Sequence, residues 1–143
     1  MNNITKFSIA RPAGDVFEAL VDPTQMSNYW FSSGSGRWEP GKRITLKYEE
    51  YHAEVDINVL EVEANKKIVF QWPGEKGHVV TMSLEAADAS TTIIEVIEEG
   101  FDADDKDLIP LLIDNKEGWV YMLTCLKAYL EFGVTKLRAG IVK

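Results

Sequence analysis

The sequence predicts an α+β domain in which a curved antiparallel sheet of six strands wraps one long C-terminal helix. Three observations predict it. Along residues 107–133, Trp119, Met122, Leu123, Leu126, Tyr129 and Leu130 recur every three or four positions, which places them on one face of a helix. Between residues 44 and 99, apolar and polar residues alternate in successive runs, the period of half-buried strands. The runs are joined by hairpin-length turns, which pair neighbouring strands antiparallel.

The elements follow in order. Residues 4–9 form a short strand, with Ile4, Phe7 and Ile9 available for burial. Pro12 and Asp15 mark a helix start, and Val16, Phe17, Ala19, Leu20 and Val21 give that short helix an apolar face. Asp22-Pro23 ends it and opens a second short helix reaching about Tyr29. Tyr29-Trp30-Phe31 precede the small polar run 32–36, and Pro40-Gly41 makes a tight turn. Ile44, Leu46 and Tyr48 alternate along the next strand. In the strand after it Val55, Ile57 and Val59 alternate before the apolar phase slips to Leu60 and Val62, the mark of a β-bulge. Ile68, Phe70 and Trp72, then Val80, Met82 and Leu84, then Ile94 and Val96 define three more strands. In the long helix, Asp107 is placed to cap the start. Pro110 lies in the first turn, where its missing N–H loses no intrahelical bond, and Gly133 is a natural stop. About 25 helical residues extend roughly 37 Å, enough to cross a small sheet, and this is the only segment long enough to cover it.

The 143 residues form a single domain, 1–143, large enough for a sizeable core. A net charge of −8 argues against a nucleic-acid or anionic-membrane partner, because phosphate binding needs a basic footprint. Cys125, the lone cysteine, has no internal disulfide partner, which suits a reducing compartment. No apolar run approaches the roughly 20 residues needed to span a bilayer, and the first residues lack a signal-peptide pattern. A cytoplasmic protein without membrane insertion is expected.

The inward positions are rich in rings and thioethers. Trp38, Tyr48, Trp72, Met82, Trp119, Met122 and Leu126 are candidates to line a pocket, with Trp30 and Phe31 as its gate and residues 32–36 as a mobile entrance. Large flat rings and flexible thioethers meeting across a curved sheet leave gaps of the kind small apolar molecules fill. Residue types alone favour plain core packing over a cavity.

Four stretches, in order, carry a resemblance over essentially the whole chain. Pro12, Val16-Phe17-Glu18-Ala19-Leu20, Asp22-Pro23, Met26 and Tyr29-Trp30 form the first; Gly36-Arg37-Trp38-Glu39-Pro40-Gly41 the second; Ile68-Val69-Phe70-Gln71-Trp72 the third. Gly118-Trp119, Leu123 and Leu126-Lys127-Ala128-Tyr129-Leu130-Glu131 form the fourth. Together they resemble the family of domains homologous to the Hsp90 ATPase activator, within the START-like (Bet v 1-like) superfamily. The resemblance implies the helix-grip fold and an enclosed hydrophobic cavity, and so turns the expectation from packed core to cavity.

Catalytic signals are sparse. His52 and His78 lie beside turns or strand ends, where solvated imidazoles are common. No protein metal-site spacing and no phosphate-cradling glycine motif occurs, so neither a metal nor another cofactor is expected. Cys125 has no histidine in sight to activate it. Asp102, Asp104, Asp105 and Asp107, with Glu98 and Glu99 just before them, are accounted for as carboxylates favourable near a helix start. Glu54 and Asp56 are expected to face solvent.

The leading expectation is a non-catalytic binder of a small hydrophobic molecule: a lipid, an acyl chain or a planar, polyketide-like aromatic. The resemblance implies a second reading, an interaction module acting on a chaperone in a stress response. An outward apolar patch would favour that module, and none is evident in the sequence. The third reading is a cyclase- or dehydratase-like enzyme, which requires His52 or His78 to point into the cavity.

Overall fold

A computed structural model describes residues 1–142. Its order is β1 (Asn2–Ile9), α1 (Ala13–Val21), α2 (Pro23–Met26), β2 (Ser33–Gly34), β3 (Arg43–Tyr48), β4 (Ala53–Glu63), β5 (Lys67–Gln71), β6 (Val79–Asp88), β7 (Thr91–Glu99) and α3 (Leu108–Phe132). The strands form one antiparallel sheet in the order β1-β7-β6-β5-β4-β3-β2, so each strand from β2 to β7 lies beside its sequence neighbour and β1 returns to pair with the last. The architecture is the expected α+β helix grip, with seven strands in place of six.

The added strand is β2, which falls within the run expected to be a mobile entrance. Ser33 pairs with Lys47 and Gly34 with Leu46. The Ser32 hydroxyl donates to the Lys47 carbonyl, and the Ser35 hydroxyl accepts from the Thr45 amide. A polar, glycine-containing stretch is a poor strand by propensity, but these serine side chains satisfy the edge backbone and pin the segment to β3.

Alternation decides which side chains enter the core. Ile9 is buried but Ile4 faces outward, because Asn3, Thr5, Phe7 and Ile9 share the inner phase of β1. The bulge in β4 falls between Val59 and Glu61. Val62 returns to the inner face while Leu60, the bulged residue, is left exposed, contrary to the expected inward Leu60. In β7 the inner phase is Thr92, Ile94, Val96 and Glu98, which carries a carboxylate into the core.

The first short helix begins after Pro12, and Asp22 both ends it and caps α2 by accepting from the Thr24 amide at 2.9 Å. α3 ends as expected. Gly133 takes a left-handed conformation at φ 67°, its amide donating to the Tyr129 carbonyl and that of Val134 to Ala128. At the other end Asp107 occupies the cap position, but its side chain makes no capping bond. The nearby carboxylates serve the preceding turns instead: Asp102 accepts from the Asp104 amide and Asp105 from the Asp107 amide.

α3 covers the sheet with only part of its length. Trp119, Met122, Leu123, Cys125 and Leu126 are buried. The first three turns project beyond the core, leaving Ile109 69% and Ile113 63% exposed, with Leu111 and Val120 also open to solvent. An outward apolar stripe therefore exists where none was expected. Its residues lie beside acidic and proline positions, which conceal the stripe in a simple periodicity count.

Candidate functional site: two cavities around Trp30

Tyr29, Trp30 and Phe31 follow α2 and turn inward, and Trp30 becomes the hub of a ring network. Its indole lies 4.9 Å from Phe31, 5.6 Å from Trp119, 6.2 Å from Trp38 and 6.5 Å from Phe70, centroid to centroid. Phe31 in turn meets Tyr48 at 5.6 Å and Trp72 at 6.5 Å. Edge-to-face and tilted contacts at these spacings are the favourable arrangements for quadrupolar rings. Trp38, Met82 and Leu126 are fully buried among the other core residues and line neither cavity; Phe31 also packs without lining one.

Space remains on two sides of Trp30. The first cavity, about 220 Å³, is lined by Tyr29, Trp30, Tyr48, Tyr51, Gly118, Tyr121, Met122, Arg138 and Ile141. Of the candidate residues, it gathers Trp30, Tyr48 and Met122. The second, about 230 Å³, is lined by Trp30, Trp72, Glu98, Asp114, Asn115, Gly118 and Trp119. It gathers Trp30 again, with Trp72 and Trp119. Gly118 belongs to both walls. A Cβ there would meet no atom within 4 Å, so the missing side chain leaves room on either side.

The wall of the first cavity includes a part that helical and strand periodicity does not reveal. After Gly133 the chain folds back, and three tyrosine hydroxyls hold its carbonyls. Tyr48 donates to Arg138, Tyr121 to Leu137, and Tyr51 to Ile141. Arg138 is buried. Its Nε donates to the Trp30 carbonyl at 2.7 Å, its terminal nitrogens form a fork with Glu50, and its guanidinium lies 4.7 Å over the Tyr48 ring. Burial draws the Arg138 guanidinium down most strongly, but the bond to Glu50 and the nearby Tyr48, Glu50 and Tyr51 oxygens together outweigh it and hold the group above its ordinary pKa. Burial pushes the Tyr48 phenol up to about 12. Tyr29, whose hydroxyl donates to the Ala19 carbonyl at 2.6 Å, is raised well above the ordinary tyrosine value by burial. The polar atoms of this wall are thus spent on one another, and what faces the cavity is largely carbon.

The second cavity is built around Glu98. This carboxylate is 3% exposed, and its Oε1 accepts both indole N–H groups, from Trp72 and Trp119, at 3.1 Å each. Its Oε2 lies 2.8 Å from His78 Nδ1. His78 packs at 4.5 Å against Phe101 and is not a loose loop residue, though it lines neither cavity; His52 is exposed, in a left-handed turn. The inward position of Glu98 follows from the period-two phase of Ile94 and Val96, a signal present in the sequence but hidden by its neighbour Glu99. Burial raises the Cys125 thiol above its ordinary value, which disfavours the thiolate. Among the described residues, no group of three potential ligands is placed to hold a metal, and no helix is long and apolar enough to cross a membrane.

Comparison with known proteins agrees with this architecture. The structure of protein SSP2350 from Staphylococcus saprophyticus is 49% identical, with a TM-score of 0.85 over 94% of this chain and 95% of that one. The Aha1 dimer from Colwellia psychrerythraea is 19% identical, with a TM-score of 0.80 over 93% of this chain and 98% of that one. DynU16, a protein of the dynemicin biosynthetic locus, is 22% identical with a TM-score of 0.81; the match covers 96% of this chain but 49% of DynU16. No curated protein matches. The model of the family described as activator of Hsp90 ATPase homolog 1-like protein matches residues 10–131, and the chain belongs to that family.

Proposed function

We propose that this protein binds a small, uncharged, apolar molecule, such as an acyl chain or a planar aromatic, in the first cavity between the sheet and α3. The observation that carries the reading is the wall itself. A space of about 220 Å³ is bounded by Trp30, Met122 and four tyrosine rings, while the hydroxyls of Tyr48, Tyr51 and Tyr121 are committed to the C-terminal segment, that of Tyr29 to Ala19, and the Arg138 guanidinium to Trp30 and Glu50. A charged ligand would find no unpaired opposite charge there, whereas a carbon-rich one would replace water at little polar cost. The candidate residues Trp30, Tyr48 and Met122 contact this ligand. Trp38, Met82 and Leu126 support the wall from behind.

The test is a backbone-amide NMR titration with fatty alcohols, sterols and planar phenolics. Localised shifts at Trp30, Tyr48, Tyr121 and Met122 are expected, together with a stability gain of roughly 2.7 kcal/mol at a hundredfold excess over Kd. A panel that shifts only surface residues would remove the reading.

One observation favours a second reading, docking on a chaperone: the exposed apolar stripe of Ile109, Ile113 and Val120 on α3. Monomeric proteins seldom leave such faces open without a use. Direct binding to purified Hsp90, lost in Ile109→Ser/Ile113→Ser with ligand binding intact, is the expected result. Unchanged Hsp90 binding in that variant excludes the stripe as the contact.

A further inference from the structure

The second cavity differs in chemistry from the first. Three tryptophans, Trp30, Trp72 and Trp119, meet two carboxylates, Glu98 and Asp114, and among the described residues no lysine or arginine lines it. Aromatic faces attract cations through the ring quadrupole, most strongly for tryptophan. Here two of the indoles also donate their N–H to a buried carboxylate, which polarises them further toward a negative face. The Glu98 carboxylate at the base, shared with His78, and the Asp114 carboxylate at the exposed rim favour cations over anions.

The hydrogen bonding narrows the cation. A carboxylate has about four acceptor positions, and Glu98 already engages two indole donors and His78. The Asn115 carboxamide oxygen accepts from Asn3 Nδ2 at 3.0 Å. At the buried Glu98 end of the cavity a primary ammonium would lose its water and find few acceptors in exchange. A quaternary ammonium, whose nitrogen carries no N–H and whose charge spreads over methyl groups, suffers no such loss. We infer that the cavity of Trp30, Trp72, Trp119, Glu98 and Asp114 binds a small quaternary ammonium ion of the choline or tetramethylammonium type. A phosphate or carboxylate close to the cationic head opposes Glu98 and Asp114, so the ligand is a free cation and not a zwitterionic headgroup.

Choline, its neutral carbon isostere 3,3-dimethylbutan-1-ol, and phosphocholine distinguish the contributions of charge, shape and attached anion. The readout is the indole N–H resonances of Trp72 and Trp119, titrated against a sodium chloride control of equal ionic strength. Choline is expected to shift both resonances, with the isostere and phosphocholine each about tenfold weaker or more. Glu98→Gln, which keeps the shape and an acceptor oxygen, should lose most of the choline affinity. Asp114→Asn, on the exposed rim, should weaken it about two- to fivefold with the fold intact, and it decides the matter if the first variant does not fold. Equal binding of choline and the isostere, no choline-specific shift, or full affinity in Asp114→Asn would each overturn the inference. Phosphocholine binding as tightly as choline would overturn the restriction to a free cation. The apolar ligands of the first cavity do not enter this experiment, so the two proposals fail separately.

Discussion

The indole N–H of Trp119 donates to the Glu98 carboxylate at 3.1 Å, joining the middle of α3 to the last inward position of β7. The same oxygen takes the Trp72 indole, so one acidic side chain fixes two of the aromatic walls. Glu98→Ala would leave one fully buried and one half-buried donor without a partner. The expected loss is about 2–4 kcal/mol, against about 1 kcal/mol for Glu98→Gln, which retains an acceptor. Urea denaturation of the two variants decides it; equal stability would mean that the indole bonds contribute nothing net.

Gly118 is a helical residue where alanine or leucine would be more favourable by about 1 kcal/mol, and a Cβ there meets open space. Gly118→Leu is therefore expected to hold or raise Tm while its side chain fills the cavity walls. Ligand titrations on the variant should show binding lost without loss of fold. Retained affinity would place the ligand elsewhere.

Arg138 anchors the returning C-terminal segment through Trp30, Glu50 and the face of Tyr48. Arg138→Ala leaves a buried carbonyl unpaired, and a destabilisation of about 1–3 kcal/mol is expected. Hydrogen exchange should quicken at residues 134–142 and leave β5 and β6 protected. Loss of protection throughout the sheet would show that the segment is part of the global core.

Stability should fall in alkali. Burial raises Tyr29 well above its ordinary value and Tyr48 to about 12. Folding thus favours the protonated phenols: their contribution is complete below the ordinary tyrosine pKa of about 10 and is lost as pH climbs toward the raised values. For the fully buried Tyr29, the slope is at most about 1.4 kcal/mol per pH unit. Denaturation midpoints measured upward from neutrality check this, and Tyr29→Phe should flatten the decline. A flat profile in the parent protein would contradict it.

Much of the fold was legible because burial on one face forces period. Ile44 and Leu46, Val80 and Met82, and Ile94 and Val96 each announced a strand, and the slip after Val59 announced the bulge. The cavities were less legible, because emptiness is a property of how side chains miss one another. Trp30, Trp38 and Trp119 look alike in a sequence, yet Trp38 is sealed in the core with no hydrogen-bond partner for its indole nitrogen among the described residues, while the other two border space. Glu98 was obscured because a charge at an inward position reads as surface unless its partners are known. The segment carrying Arg138 was invisible for another reason: irregular backbone held by tyrosine hydroxyls has no repeat to detect.

The pairing of β1 with β7 has a consequence for how the molecule is made. Asn2 lies opposite Glu99, so during synthesis β1 waits until β7 has been made before it gains its neighbour in the sheet. Closing so long a loop is slow relative to local contacts. Meanwhile the apolar faces of β3 to β6 lack both their seventh strand and α3. During that wait the future cavity walls are exposed on the nascent chain, and its yield in a cell depends on how well they are protected.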